Sequence, residues 1–226
     1  GQGVEGTGSF NNINPSDTSD QIDSYTSATA EQFEQAVQAA IKAQKEWEKV
    51  GIEKKSQILI KIGDELIAKS KELGELLSRE EGKPLAEGIG EVARAGQQFQ
   101  YYGSECLRLY GERIPSTRPG FQVEISREPL GVIGIISPWN FPIAIPAWKA
   151  APAMMCGNAV ILKPASLTPA SAIELTKIIA KQDIPDGLFN LVLGSGGDIG
   201  NKIATHKDIV AISFTGSVDV GRKLYQ

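Results

Sequence analysis

An α/β chain built on an open parallel sheet, preceded by a helical segment and a β arm, is the fold class this sequence predicts. Three observations carry it. From Val132 onward, short apolar runs alternate with helical patterns, and such alternation demands parallel strands joined by right-handed crossovers, with helices on both faces. The runs at Val132–Ile136 and 160–162 are apolar nearly throughout, as strands covered on both sides should be. Ahead of them, a helical period over residues 29–110 switches to a period of two over residues 121–126.

The whole-chain balance narrows the function classes. The 226 residues are 41% hydrophobic, enough for a sizeable core. A net charge of -4 spread over both signs argues against a nucleic-acid surface, which needs a basic stripe, but leaves room for a small anionic cofactor. Cys106 and Cys156 lie far apart, which suits reduced thiols in the cytoplasm and not a disulfide framework. No apolar run reaches membrane-spanning length, so no membrane partner is expected. The helical pattern still runs at Leu224-Tyr225-Gln226, so the chain is expected to be part of a longer polypeptide.

Residues 1–27, rich in Gly, Asn, Ser, Thr and Asp, read as an arm or loop with a short strand near 22–25. Thr29 and Gln32 form a capping box for a first helix that buries Phe33, Val37, Ala40, Ile41 and Trp47 and ends at Gly51. A second helix over 53–68 carries Ile58, Leu59, Ile62 and Leu66. A third, with Leu73, Leu76 and Leu77, stops at Glu81-Gly82-Lys83-Pro84. A fourth, over 84–110, buries Ile89, Val92, Ala93 and Phe99. In residues 121–126, Phe121, Val123 and Ile125 alternate with polar neighbours, which predicts a half-exposed strand. It reads equally as an arm that pairs with another subunit and as an ordinary edge hairpin.

Pro129-Leu130-Gly131 is the hinge into the sheet. After the strand at Val132–Ile136 come a tight loop at 137–142, an apolar helix over 145–155 and a second buried strand over 160–163. A helix over 170–181, a strand over 189–193, a glycine-rich turn over 194–200 with a short helix, and a strand over 210–214 follow. Thr215-Gly216-Ser217 opens the last helix.

Four constellations carry chemistry. Lys163 ends a buried strand at the carboxyl edge of a parallel sheet, where it can reach phosphate or hydroxyl oxygens, although alone it reads as a solvated lysine. The cluster Gly194-Ser195-Gly196-Gly197-Asp198-Ile199-Gly200 resembles a phosphate-binding turn, but departs from the dinucleotide fingerprint and fits a plain joint as well. Thr215-Gly216-Ser217 offers a hydroxyl and amides at another helix start, which also suits a cap. Asn140, held in Trp139-Asn140-Phe141-Pro142, is placed to donate its amide to a developing oxyanion, against the alternative of an Asx turn. Two helix starts and a lysine on one rim favour a ligand site over coincidence. Trp47 and Trp148 read as packing residues. His206, the only histidine, has no companion at ligand spacing, so no metal is expected. Neither cysteine has a base in view.

At this point the residues carry a family. Ile136-Ser137-Pro138-Trp139-Asn140-Phe141-Pro142, Lys163-Pro164-Ala165-Ser166-Leu167-Thr168-Pro169 and Phe214-Thr215-Gly216-Ser217, in this order and spacing, resemble the N-terminal half of NAD(P)-dependent aldehyde dehydrogenases. The resemblance runs from about Asn14 to the end, and Glu81-Gly82-Lys83-Pro84 fits too. It implies the Rossmann-like sheet of that fold, preceded by helices and a β arm and stopping before the catalytic domain. It divides the chain into an arm and the helical part of a cofactor-binding domain (1–117), a bridging β arm (118–128) and the Rossmann-like part (129–226).

The resemblance also implies roles. Asn140 would hydrogen-bond the thiohemiacetal oxygen, Lys163 the adenosine ribose, and Ser217 the pyrophosphate. Ile136, Ser137, Pro138 and Trp139 would border the nicotinamide. Ala165, Phe214, Thr215 and Gly216 would complete the cofactor site, and Gly196 and Gly200 would lie by the adenine. Many relatives carry a glutamate where this chain has Ser166. Loss of that carboxylate removes a repulsion toward a 2′-phosphate worth on the order of a few kcal/mol, so NADP is expected alongside NAD and even ahead of it.

The nucleophilic cysteine and general-base glutamate of the family belong to the half that follows, and neither Cys106 nor Cys156 matches the nucleophile. The activity implied for the intact enzyme is attack of a thiolate on an aldehyde, hydride transfer and hydrolysis to the acid. The chain ending at Gln226 is expected to have no turnover. Residues 114–117 and 141–149 are similar to bacterial semialdehyde dehydrogenases, including succinate-semialdehyde enzymes and especially those acting on 2,5-dioxopentanoate. A carboxylated substrate needs a cation, for which Arg108, Arg113 and Lys149 are candidates. A homodimer or homotetramer is implied for the intact enzyme. A CoA-acylating dehydrogenase and a non-catalytic nucleotide-binding or interface module remain the alternatives.

Overall fold

The computed structural model describes residues 3–225. Gly1 and Gln2, at the start of the expected arm, and Gln226, at the end of the expected last helix, lie outside the described residues. The chain opens with an antiparallel hairpin, β1 (Thr7–Ile13) and β2 (Gln21–Ser27). Residues 1–27 were expected to hold one short strand. The partner strand escapes notice because Thr7–Ile13 is Gly-, Ser- and Asn-rich and has no apolar alternation. Its fixings are long-range: Asn12 Nδ2 donates to Glu80 at 2.5 Å, and Arg79 forms a two-pronged pair with Asp20.

Four helices follow: α1 (Ala30–Glu48), α2 (Ile52–Ala68), α3 (Ser70–Glu81) and α4 (Leu85–Glu105). The Thr29/Gln32 capping box is present in both directions. Phe33, Val37, Ala40 and Trp47 are buried as expected, Ile41 only in part. α1 stops at Glu48, and Gly51 caps the start of α2 instead of ending α1. Among the α4 positions, Val92 and Phe99 are buried, while Ile89 and Ala93 are half-buried. α2 and α4 cross where Gly63 and Gly96 meet, since a Cβ on either would come within 2.7 Å of the other's carbonyl oxygen. The fourth helix ends at Glu105, short of Tyr110, and passes through one 3₁₀ turn at Cys106–Arg108.

The strand expected over 121–126 is β4 (Gln122–Ile125). It pairs with β3 (Glu112–Pro115), which the sequence did not announce, so this arm begins before the expected boundary at 118. Both faces of the hairpin are exposed, Phe121, Val123 and Ile125 included, so the alternation marks an apolar face that this chain leaves uncovered.

The sheet itself contains β5 (Val132–Ile136), β6 (Ala159–Lys163), β7 (Phe189–Leu191) and β8 (Ile209–Phe214), all parallel, in the order β7-β6-β5-β8. α5 (Ala144–Met155) and α6 (Pro169–Ala180) make successive crossovers in one direction. α7 (Asn201–Thr205) belongs to the return from β7 to β8, which right-handedness assigns to the other face. α8 (Val218–Tyr225) ends the described chain. β5 and β6 are buried at every position, as their continuous apolar sequence requires. One core runs from Phe33 in α1 to Ile209 in β8, so the helical part and the sheet share it. Trp47 sits fully buried in it and gives its indole N–H to the carbonyl of Met154 at 2.8 Å.

Candidate functional site

Register builds the site. Ile136 is level with Lys163 on one side and with Phe214 on the other, so the carboxyl ends of β5, β6 and β8 finish in one row. The chain leaves β5 toward β6 and returns to its other side as β8. That is the topological switch point of an open sheet, where a crevice opens beyond the strand ends. Ser137 N donates to Lys163 O (3.2 Å) and Thr215 N to Ile136 O (3.1 Å), carrying the ladder one step past each strand.

A cleft of about 490 Å³ occupies this crevice, lined by residues 136–140, Lys163, Ala165, residues 214–217 and Val220. Ile136, Ser137, Pro138, Trp139, Asn140, Lys163, Ala165, Phe214, Thr215, Gly216 and Ser217 are thereby brought together. Val220, in the first turn of α8, was not foreseen, because nothing in an amphipathic helix start marks which residue faces a cleft.

Lys163 does not read as solvated. It is 4% exposed, and its Nζ donates to the carbonyl of Pro164 at 2.7 Å. Burial lowers its pKa to about 8. Ser137 is also buried, and its hydroxyl has no hydrogen-bond partner among the described residues. Asn140 is exposed at the cleft and its amide makes no hydrogen bond within the described chain. The Phe214 ring lies over Gly216, where a Cβ would sit 2.6 Å from Cζ. Ser217 caps α8 by accepting from Val220 N at 3.4 Å, so the cap and the cleft use the same residue.

Three expected residues do not line the cleft. Gly196 and Gly200 belong to a π turn (Gly196–Gly200) in which three amides are bonded to Ser195: Asp198 N donates to Ser195 Oγ, and Ile199 N and Gly200 N to Ser195 O. Asp198 pairs with Lys202 of α7. A five-residue α7 and a carboxylate inside the turn leave little to hold an anion. Ser166 is exposed and donates its hydroxyl to Gly194 O at 3.2 Å, tying the loop after β6 to the turn after β7.

Carboxylates that the sequence had not singled out anchor both rim loops. Glu80, at the end of α3, accepts from Ala170 N (2.6 Å), Ser171 N (3.0 Å) and Ser171 Oγ (2.7 Å), and so caps α6 just beyond the Lys163 loop. Glu91 of α4 accepts from Ile143 N and Ala144 N, each at 3.1 Å, at the start of α5. Gly82 ends α3 in the left-handed conformation (φ 89°). Glu81-Gly82-Lys83 was visible in the sequence as a helix stop, but the Asn140 carbonyl that Lys83 Nζ reaches at 3.0 Å lies 57 residues away.

Arg108 pairs with Glu105, Arg113 hydrogen-bonds Gln122 Oε1, and Lys149 donates to Ser213 Oγ at 2.8 Å; none of them lines the cleft. A second cleft, about 280 Å³, lies across the Asn140 loop and takes Lys83, Arg94, Phe141 and Trp148 among its walls. Trp148 is thus a half-exposed wall residue packed on Phe141. His206 donates its Nε2–H to Glu34 Oε2 (3.0 Å) while Nδ1 accepts from Asp208 N, and its ring sits against the edge of Phe33. Cys106 is buried against Ile52 O, Cys156 lies at the far end of α5, and burial pushes both thiols up.

Residues 4–226 match the aldehyde dehydrogenase family. The chain belongs to that family. It is 35% identical over 99% of its length to a 2,5-dioxopentanoate dehydrogenase of Saccharolobus solfataricus, of which it covers 47%. Among solved structures, an NADP-dependent enzyme of E. coli superposes with a TM-score of 0.96 at 32% identity, over 99% of this chain and 47% of that one. PnpE, solved in complex with nicotinamide adenine dinucleotide, gives 0.95 at 32% identity, over 100% of this chain and 46% of that one. This aldehyde dehydrogenase chain spans about half the length, or less, of the curated relatives it matches. Among the described residues, no helix is long and apolar enough to cross a membrane.

Proposed function

We propose that this chain is the cofactor-binding half of an NAD(P)-dependent aldehyde dehydrogenase that oxidises a carboxylated semialdehyde, with 2,5-dioxopentanoate the first candidate. The observation that carries it is one cleft, at the switch point of a parallel sheet, holding both a buried lysine with no ion pair among the described residues and an uncommitted Asn140 amide. The residues fit a dinucleotide. The unpartnered Ser137 hydroxyl, the Lys163 ammonium and the Thr215–Ser217 hydroxyls form a donor-rich wall, and the apolar Ile136, Trp139 and Phe214 suit a flat ring.

Lys163 holds the ribose hydroxyls, and Ser217 with the amides of the α8 start holds the pyrophosphate. Ile136, Ser137, Pro138 and Trp139 border the nicotinamide, which when bound supplies a hydride acceptor. Asn140 donates its amide to the oxyanion that forms on the aldehyde oxygen. Cys106 and Cys156 lie away from the cleft, which supports a nucleophile from outside this chain. Arg94 in the adjoining cleft is the cation on hand for a substrate carboxylate, in place of Arg108, Arg113 and Lys149. The uncovered β3–β4 hairpin supports a homodimer or homotetramer, and two free thiols suit a cytoplasmic enzyme.

The test is turnover by the full-length protein of 2,5-dioxopentanoate, succinic semialdehyde and an uncharged aldehyde of equal length, with and without CoA. A kcat/KM at least tenfold higher for the carboxylated substrates, and free acid as product, are expected. Thioester product would move the enzyme to the acylating class.

Cofactor choice follows from Ser166. An exposed hydroxyl beside Gly194 puts no charge near a 2′-phosphate, and the NADP-dependent neighbour supports acceptance of NADP. Ser166→Glu is expected to lower kcat/KM for NADP roughly tenfold or more while NAD changes little, since one added charge at intermediate dielectric costs on the order of 1–3 kcal/mol. Steady-state kinetics with both cofactors checks this. An unchanged NADP/NAD ratio would remove Ser166 from cofactor selection.

A further inference from the structure

Asn140 sits on a loop with no regular secondary structure, between β5 and α5, and its amide makes no bond that would set its direction. Its aim therefore depends on the backbone. Trp139 O accepts from Thr168 Oγ1 at 3.5 Å, Phe141 O from Ile145 N at 3.2 Å, and Asn140 O from Lys83 Nζ at 3.0 Å. Of these, only the Lys83 bond comes from a charged donor. The lysine is itself held: Nζ lies 2.6 Å from Glu91 Oε2 and 2.8 Å from Glu81 Oε2, and 4.3 Å from the centroid of the Phe141 ring. The three side chains are at most 9% exposed.

Glu91 closes the arrangement from the other side. While Oε2 takes Lys83, Oε1 accepts from Ile143 N and Ala144 N. The segment between Asn140 and Ala144 is thus gripped at its first carbonyl by Lys83 and at its last amides by Glu91, and the two grips are one ion pair. Short charge-assisted bonds in a nearly dry site resist displacement far better than the same pair in water. A helix N-terminus also favours the carboxylate that caps it.

We propose that Lys83, locked by Glu81 and Glu91, is a positioning residue for Asn140: it fixes the Asn140–Phe141 peptide so that the side-chain amide points into the reaction cleft. This rests on the oxyanion role proposed for Asn140. Oxyanion donors act only within a few tenths of an ångström of their target, so a loosened loop lowers kcat before it weakens cofactor binding.

The experiment is a double-mutant cycle in the full-length protein, with 2,5-dioxopentanoate as the aldehyde. Lys83→Met is expected to lower kcat roughly tenfold and leave the cofactor KM within about twofold; Lys83→Arg, which keeps the charge and donors, recovers most of the loss. In the Asn140→Ala background, Lys83→Met should add no further loss, because its target is gone. A wild-type kcat for Lys83→Met, or losses that multiply in the double variant, would overturn the proposal. If Asn140→Ala itself turns over normally, the oxyanion reading fails and the positioning role with it. A slow Asn140→Ala with an undisturbed Lys83→Met removes the positioning role alone. Should Lys83→Met not fold, Glu91→Gln, which keeps an acceptor for the α5 amides and drops the charge that holds Lys83, gives the same cycle.

Discussion

Replacing Lys163 by methionine is expected to stabilise the protein and, at the same time, to weaken its hold on the dinucleotide by roughly 10- to 100-fold, the worth of a hydrogen bond to a charged group. Lys163 is buried at the end of β6 with a carbonyl as its acceptor, and burial lowers its pKa from 10.5 to about 8. Folding therefore works against a protonated Lys163 by about 3 kcal/mol at neutral pH, from the shift alone. The sign is definite. Below about pH 8 the folded chain carries the full cost. Between 8 and 10.5 the unfolded chain binds the extra proton, so stability rises with pH, and above 10.5 the cost is gone.

Methionine matches the stem and leaves no charge to desolvate. Urea unfolding of the full-length protein at pH 7 should show Lys163→Met more stable by about 1–3 kcal/mol, with the gap narrowing toward pH 10. Cofactor titration adds the second half: the wild-type affinity should decline as pH climbs past about 8, and that of the variant should not. A destabilised Lys163→Met, or one that binds the dinucleotide normally, would show that the ammonium serves the fold instead of the cleft. Natural proteins keep such costs where a site needs them.

Glu80→Ala is expected to cost about 2–4 kcal/mol, the loss on leaving several buried neutral donors without an acceptor. Glu80 is 2% exposed and accepts four bonds, two from the first amides of α6, one from Ser171 Oγ and one from Asn12 of the N-terminal hairpin. Truncation orphans the α6 amides in a dry setting and removes the Asn12 tie between the hairpin and α3, leaving the Arg79–Asp20 pair. Glu80→Gln does not rescue the site, because one end of its amide would turn an N–H₂ toward Ser171 N. Burial pushes the Glu80 carboxyl up from 4.5, with the four donors offsetting part of the shift. With the folded value raised, this group's contribution is full below about pH 4.5 and shrinks as pH rises through the folded value. Denaturant unfolding of the variant checks the magnitude. A loss under about 1 kcal/mol would mean that water replaces the carboxylate at the α6 start.

Much of the fold was legible because its signals are local. Thr29 and Gln32 spell out a cap within three residues, and the apolar runs of β5 and β6 announce burial on both faces by themselves. The motif strings at 136–142, 163–169 and 214–217 were readable too, and they name eleven of the twelve cleft-lining residues. What was lost is what depends on a distant partner. β1 and β3 carry no apolar alternation of their own that would distinguish them from loops. The glycine cluster at 194–200 reads from composition both as a phosphate turn and as a plain joint, because composition cannot record that Asp198 N, Ile199 N and Gly200 N are bonded to Ser195.

The sequence by itself determined the order of the helices and parallel strands, the family and the short list of cleft residues, since periodicity, caps and motif spacing are properties of neighbours along the chain. Tertiary structure alone decided that Ile136, Lys163 and Phe214 end in one row, that Lys163 is dry, and that Glu80, Lys83 and Glu91 grip the loops of that rim. Those depend on strand register and on side chains 52 to 91 residues apart, and the energy of a buried charge is set by what surrounds it, which no local pattern records.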